Sequence, residues 1–206
     1  MATGYDRIYT DLLPQLAACD IAAQAAHLGL RADDDGSVPV AFLGRPYRIT
    51  NQGVAVEDGA PADVNNCSIL IHYIISEGRI EPRHNFVPLD RLTGMIEGRN
   101  AQEGWFISNS LLRETESRYA PFAAAAAKLG GTHAGKVGGG ECWQFDVLPK
   151  MPVQLIFFEA DEEFPAELQF RFDETAPYYM GFECLAFLSG SVIHALSVLA
   201  KEQKHD

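Results

Sequence analysis

The segment Met151–Asp173 constrains the fold more than any other part of this chain of 206 residues. It reads MPVQLIFFEADEEFPAELQFRFD. Apolar residues occupy nearly every position of Val153–Glu159, which is typical of a strand covered on both faces. Leu168, Phe170 and Phe172 alternate with polar residues, which is typical of a strand with one buried and one solvated face. An acidic connection that contains a proline joins the two runs, so the segment predicts an antiparallel hairpin.

Helical periodicity is found on both sides of this hairpin. Residues 3–28 place apolar side chains at steps of three and four, and Pro14 inside the pattern predicts a kink or a break. A central helix is predicted after Pro61 and extends to about Ile75. The apolar stripe of Phe182–Ala200 predicts a buried final helix, because Glu, Ser and His residues interrupt a run that is barely long enough to span a membrane.

Three short strand-forming runs lie between the first two of these helices. They are Val38–Leu43, Tyr47–Thr50 and Val54–Glu57, and the turn residues between them predict a small antiparallel meander. The predicted fold class is therefore α+β, with a single domain over residues 1–206. It is built on a mainly antiparallel sheet with a central hairpin at 153–173, and N-terminal, central and C-terminal helices cover that sheet.

The formal charge of −12 argues against two classes of partner. Binding to a nucleic-acid backbone requires clustered lysine and arginine, and attraction to an anionic membrane surface also requires basic residues. The N-terminus, MATGYDRIYTDLL, has neither the basic region nor the apolar core of a signal peptide. We therefore expect a cytoplasmic protein that binds neither nucleic acid nor a membrane.

A glycine-rich segment and the four cysteines are candidates for a nucleotide site and a metal site, but neither has the residues that such a site requires. Residues 130–137 contain G-x-x-x-x-G-K, but Val137 stands where a phosphate-binding loop needs Ser or Thr, so we expect a chance match in a flexible glycine loop. The four cysteines lack the short, repeated spacing of a zinc or iron–sulfur site. We expect buried, reduced thiols and no metal at Cys19, Cys67, Cys142 and Cys184.

No catalytic motif is present. The hairpin would place Asp161–Glu163 at its turn and Asp173 near the far end of a strand, roughly 20 Å away at about 3.3 Å per residue. These carboxylates therefore cannot form one pair for glycoside hydrolysis or one metal site. An enzyme whose acid and base come from distant segments is the alternative, and its candidate residues are His72, His84, Glu163 and Asp173.

The main hypothesis is a non-enzymatic small-ligand-binding or protein-interaction accessory domain. Glycines and prolines interrupt every period in residues 79–110, and long irregular loops inside a compact domain are often functional. A small ligand or a partner protein would lie between the helices and these loops, against the aromatic residues Trp105, Phe106, Tyr178 and Tyr179. His72, in the middle of ILIHYI, is either a core or rim histidine or an axial ligand to a haem or corrinoid.

Four segments together resemble a known family. They are VPVAFLGRPYRI, SILIHYIISEG, GWFISNSLL and LPKMPVQLIFFEADEEFPAELQFRFDETAPYYM, the last followed by an apolar helix. In this order they resemble the domain-of-unknown-function family 3786, found mostly in anaerobic bacteria and archaea, from about Pro39 to Ala200.

This resemblance implies no established activity and no catalytic residues. Some members of the family carry a ferredoxin-type iron–sulfur domain, and its cysteine run is missing here, so a redox role would depend on a partner protein. The family's association with anaerobic and corrinoid-dependent metabolism motivates the hypothesis that the domain handles a tetrapyrrole or a metalloprotein. The oligomeric state does not follow from the sequence.

Overall fold

The structure is a computed structural model that describes residues 4–93 and 109–204. Its helices are α1 (Gly4–Ala18), α2 (Ile21–His27), α3 (Val64–Ile74), α4 (Leu89–Thr93), α5 (109–114), α6 (Tyr119–Lys128) and α7 (Phe182–Glu202). Its strands are β1 (Val38–Phe42), β2 (Arg45–Thr50), β3 (Gly53–Val56), β4 (Phe86–Val87), β5 (Thr132–Val137), β6 (Gly140–Leu148), β7 (Met151–Phe158) and β8 (Glu167–Asp173).

The larger sheet has five antiparallel strands in the order β4-β8-β7-β6-β5. β7 is the third strand and pairs with β8, so that Val153 lies opposite Phe172 and Phe158 lies opposite Glu167. β7 is paired on both sides, with β6 and β8, and six of its eight residues are buried, as its unbroken apolar run predicts. The predicted central hairpin is confirmed, and with it the α+β class.

The meander predicted near the N-terminus forms a sheet of its own. β1, β2 and β3 pair in that order, with Val38 opposite Ile49 and Tyr47 opposite Val56. One face of this sheet is buried, because alternate residues of each strand point into the core. The strands were predicted correctly, whereas their separation into a second sheet was not predicted.

The break in the N-terminal helix occurs at Cys19 and Asp20, so the predicted break at Pro14 is wrong, and Pro14 lies inside α1. The Asp20 side chain accepts a hydrogen bond from the N–H of Ala23 at 3.0 Å and thus caps α2. The side-chain amide of Asn51 donates to the carbonyl of Leu16 at 3.0 Å and to that of Cys19 at 2.8 Å. A distant turn thereby satisfies the last carbonyls of α1 and ends the helix there.

The glycine-rich residues 130–137 do not form the expected flexible loop. Thr132–Val137 is strand β5 at an edge of the larger sheet, and it turns into β6 through Gly138 and Gly139, both of which have positive φ. A bulge lies between His133 and Lys136, where Gly135 also has positive φ. A strand followed by a tight turn and another strand is not the strand–loop–helix context of a phosphate-binding loop.

The helices pack into one apolar cluster that includes buried residues from both sheets. α3 contacts α1, α7 and β3, and α7 also contacts α6. The predicted stripe of α7 is buried at Leu185, Val192 and Leu196, and Leu188 is buried as well. By length and apolar composition, α7 is also the one helix in the described part of the chain that could cross a membrane, and 39% of that stretch is buried in the fold.

Candidate functional site

The connection between β7 and β8, residues 159–166, forms a closed loop that we call the hairpin tip. Oδ1 of Asp161 accepts hydrogen bonds from the backbone N–H groups of Glu163 and Phe164, both at 2.8 Å. The N–H of Asp161 donates to the carbonyl of Phe164 at 3.0 Å. The bonds from Phe164 and Glu163 hold the pKa of Asp161 below its ordinary value, so this carboxylate is charged at neutral pH.

The hairpin tip exposes a large aromatic side chain among negative charges. Phe164 is 67% exposed, the most of any large hydrophobic residue in the described part of the chain. The acidic residues of the tip are Glu159, Asp161, Glu162 and Glu163, and all four are exposed. Residues 159 to 166 include no basic residue. None of the ion pairs among the described residues involves these four carboxylates. An exposed aromatic side chain on a hydrogen-bonded loop is the kind of feature that can anchor a docking contact.

Asp173 lies at the other end of β8 and is a buried carboxylate, 1% exposed. Its Oδ1 accepts hydrogen bonds from the hydroxyl of Thr175 at 2.6 Å, from the N–H of Thr175 at 3.0 Å and from the N–H of Arg83 at 3.2 Å. Burial opposes the charged form, but the hydrogen bonds from Thr175 and Arg83 outweigh it and lower the pKa of Asp173. The other oxygen, Oδ2, has no partner among the described residues.

Asp173 and its neighbours fasten the described part of the irregular segment 79–110. Glu174 accepts hydrogen bonds from Arg83 at 2.8 Å and from the side chain of Asn85 at 2.6 Å, and its N–H donates to the carbonyl of Asn85 at 2.9 Å. Tyr179 donates its hydroxyl hydrogen to the carbonyl of Ile80. The chain up to β4 is therefore held along the end of β8.

The predicted pocket walls are in different environments. Tyr178 is 57% exposed, whereas Tyr179 is buried, with its ring centroid 5.9 Å from that of Tyr73. Trp105 and Phe106 lie outside the described residues. The chain has an open groove of about 300 Å³ elsewhere, between α1 and the β2–β3 turn, and it is lined by Tyr9, Arg48, Thr50, Gln52, Gly53, Val54 and Ala55.

His72 lies on α3 with a partly buried side chain. Burial lowers the pKa of His72 from its ordinary value, so its imidazole is neutral at neutral pH. A neutral imidazole is the form that binds a metal. None of the described residues forms a group of three or more His, Cys, Asp or Glu side chains around a metal position.

The four candidate acid–base residues do not meet side chain to side chain in the described structure. His84 reaches Asp173 through its backbone amide, which adds to the lowering of the carboxyl pKa, while its own side chain is exposed and lies beside Phe86. Glu163 is in the hairpin tip, with the length of β8 between it and Asp173. His72 is on α3.

The four cysteines are free, and all except Cys19 are buried. Burial raises the pKa of Cys67 to about 11 and that of Cys184 to about 12, so both thiols are protonated at neutral pH. Such thiols are poor nucleophiles because the thiolate is the reactive form.

A charged cluster on β5 and β6 was not anticipated from the sequence. The bulge in β5 places His133 and Lys136 on the same side as Glu141, at 2.8 Å and 3.1 Å from its two carboxylate oxygens. Hydrogen bonds from His133 and Lys136 lower the pKa of Glu141. Because each charge in the cluster has a partner, the arrangement serves to join the two strands.

Within the turn, the sequence pointed to the acidic side chains and not to Phe164. The available signal was a bulky apolar side chain within the otherwise acidic EADEEFPA, at a position that a hairpin exposes. Phenylalanine is among the residues most often buried, whereas charged residues are expected at an exposed turn.

The fold and these surfaces define an α+β fold with two antiparallel sheets and an exposed acidic hairpin tip. Residues 20–195 match the model of a family described as Domain of unknown function (DUF3786). The chain belongs to this family, as the resemblance of its motifs predicts. No curated protein and no solved structure matches the chain.

Proposed function

We propose that this chain is a non-enzymatic accessory domain that docks onto a partner protein through its hairpin tip. The observation on which the proposal rests is the 67% exposure of Phe164 on a loop whose shape is fixed by the hydrogen bonds of Asp161. Aromatic side chains at the centre of an interface commonly provide much of the binding free energy.

Two physical effects favour Phe164 as an anchor. Transfer of an exposed phenylalanine into an apolar pocket contributes about 1.5–3 kcal/mol at full burial. The loop is already ordered by Asp161, so association loses less conformational entropy than it would with a flexible loop. The tip therefore supports docking as it stands, without rearrangement of the sheet behind it.

The small-ligand version of the hypothesis has less support. It places the ligand against residues 79–110, and the described part of that segment is fastened to the end of β8 by Asp173, Glu174 and Tyr179. The neutral imidazole of His72 is compatible with a haem or corrinoid ligand, and the link to anaerobic redox metabolism rests on the family resemblance. These versions remain proposals of second rank, together with an enzyme assembled from distant residues.

Site-specific photo-crosslinking tests the docking proposal. A photoreactive phenylalanine analogue is placed at position 164, and in a matched control at the exposed Tyr178 beyond the other end of β8. After irradiation in the cells that encode the chain, captured proteins are identified by mass spectrometry, purified and tested for binding to the wild type and to Phe164→Ala. We expect a protein captured at 164 and not at 178, with binding at least about tenfold weaker for Phe164→Ala. Equal capture at both positions would refute the proposal.

A further inference from the structure

The charged side chains around Phe164 indicate which kind of partner surface it can bind. Glu159, Asp161, Glu162 and Glu163 are exposed, and none makes an ion pair with a basic side chain among the described residues. The neighbouring strand residue Glu167 is exposed as well, and its carboxylate accepts a hydrogen bond from Gln169 at 3.2 Å. The apolar ring is thus surrounded by acidic side chains.

Several glutamates elsewhere in this chain are instead paired with basic side chains. Glu57, Glu81, Glu141, Glu174 and Glu202 are each paired with a basic side chain of the same chain. The hairpin tip therefore concentrates unpaired negative charge at the same place as the most exposed phenylalanine of the described residues. Opposite charges on a partner would complement it, whereas like charges would be repelled.

Three other occupants fit poorly for reasons of charge. A nucleic-acid backbone and an anionic membrane surface are negative, and a second copy of this chain has a formal charge of −12. Association of any of these at an acidic tip would bring like charges together. A protein surface with basic side chains around an apolar pocket is favourable for both parts of the tip.

We infer that the partner is a protein that presents an apolar pocket for Phe164 with lysine or arginine side chains at its rim. This inference rests on the proposed docking function and adds the chemistry of the partner. The ring would be buried in the pocket, and the carboxylates of Glu162 and Glu163 would face the basic rim. Rim charges of this kind mainly raise the association rate and make it dependent on salt.

The test uses the crosslinking yield of the full chain with the photoreactive residue at 164. The double variant Glu162→Gln/Glu163→Gln removes two charges at the tip. The double variant Asp34→Asn/Glu77→Gln removes two exposed charges elsewhere and keeps the same net charge. We expect the tip variant to lower the yield about tenfold at low ionic strength, if each rim charge contributes about threefold. The control variant is expected to leave the yield unchanged, and added salt is expected to lower it for the wild type.

The outcomes separate this inference from the proposed function. Equal yields for the tip variant and the control, with no effect of salt, would overturn the basic partner while leaving docking by Phe164 intact. Absence of any protein captured specifically at 164 would overturn both. Capture of a protein whose surface is acidic, or of nucleic acid, would overturn the basic partner directly. Circular dichroism of each variant verifies that a lower yield does not come from loss of folding.

Discussion

Oδ1 of Asp173 accepts two hydrogen bonds from Thr175, one from its hydroxyl at 2.6 Å and one from its backbone N–H at 3.0 Å. Both residues are buried, at the point where β8 ends and the chain turns towards α7. A short bond to a buried carboxylate is stronger than one between neutral groups. This pair holds the end of β8 in place, and the N–H of Arg83 ties the neighbouring segment to the same oxygen.

Replacement of Thr175 by valine tests the strength of this bond. Thr175→Val keeps the volume of the side chain but removes the donor to a charged acceptor, so we expect the free energy of unfolding to fall by about 1.5–3 kcal/mol. Urea unfolding followed by circular dichroism measures the change. Thr132→Val on the exposed strand β5 is the control, with an expected change within about 0.5 kcal/mol. Equal effects for the two variants would contradict the role of the Asp173–Thr175 bond.

The stability of the fold is expected to fall in acid because of Asp173. The pKa of Asp173 is lower in the folded chain than the value of about 3.9 in an unfolded one. Its contribution to the free energy of unfolding is therefore fully present above the unfolded pKa. The contribution is lost as the pH falls through the folded pKa. Glu174, whose pKa is lowered by hydrogen bonds from Arg83 and Asn85, acts in the same direction.

The pH prediction is checked by measurement of unfolding free energies from pH 7 to pH 2. We expect a steeper loss for the wild type below about pH 4 than for Asp173→Asn, whose amide does not titrate. Glu174→Gln, which removes the exposed ion pair with Arg83, is expected to have the smaller effect of the two. Identical acid slopes for the wild type and Asp173→Asn would show that Asp173 does not provide the linkage.

Gly78 and Gly190 are packed differently, so replacement of each by alanine is expected to change the stability of the fold in opposite directions. A Cβ atom on Gly78 would lie 2.6 Å from Cδ1 of Tyr179 and 2.9 Å from the carbonyl oxygen of Tyr178, so Gly78→Ala is expected to destabilise the fold by about 1–3 kcal/mol. Gly190 lies inside α7 with nothing within 4 Å of such an atom. Gly190→Ala is expected to stabilise the fold by about 0.5–1 kcal/mol. Thermal unfolding of both variants distinguishes these signs, and a loss of stability in both would contradict the packing.

The closed shape of the hairpin tip is expected to depend on the Asp161 side chain. Asp161→Ala removes both acceptor bonds, so the amide hydrogens of Glu163 and Phe164 should exchange faster with solvent. Global stability should change by less than about 0.5 kcal/mol, since the loop is exposed. Amide exchange measured by NMR verifies the local effect, with Glu162→Ala as the control. Unchanged exchange at 163 and 164 would mean that the loop is ordered by something other than Asp161.

Much of the fold could be predicted because its signals are local. The apolar run of β7, the alternation in β8 and the turn residues around β2 each depend on neighbours in the sequence, and these elements were predicted correctly. The break of the first helix was placed at Pro14, because a proline lacks an N–H group for the helix. The helix ends at Ala18, where Asn51 donates hydrogen bonds to the carbonyls of Leu16 and Cys19, and Asn51 is 32 residues from Cys19 in the chain and gives no local signal.

The candidate site, too, could be predicted only in part from local sequence signals. The sequence indicated an acidic, exposed turn at Asp161–Glu163, but the exposure of Phe164 on a closed loop is visible only in the tertiary structure. Residues 130–137 were expected to be a loop because of their glycines. They form an edge strand since pairing with β6 supplies backbone hydrogen bonds, which outweigh a weak local preference.

The sequence by itself determined the α+β class, the central hairpin and the family, because hydrophobic periodicity and a set of ordered motifs are properties of the chain as written. The tertiary structure alone decided the division into two sheets, the hydrogen bond from Arg83 to the buried Asp173 across 90 residues, and the exposure of Phe164. These features depend on which distant segments pack together, and such contacts are set by the summed burial and hydrogen bonding of the whole domain.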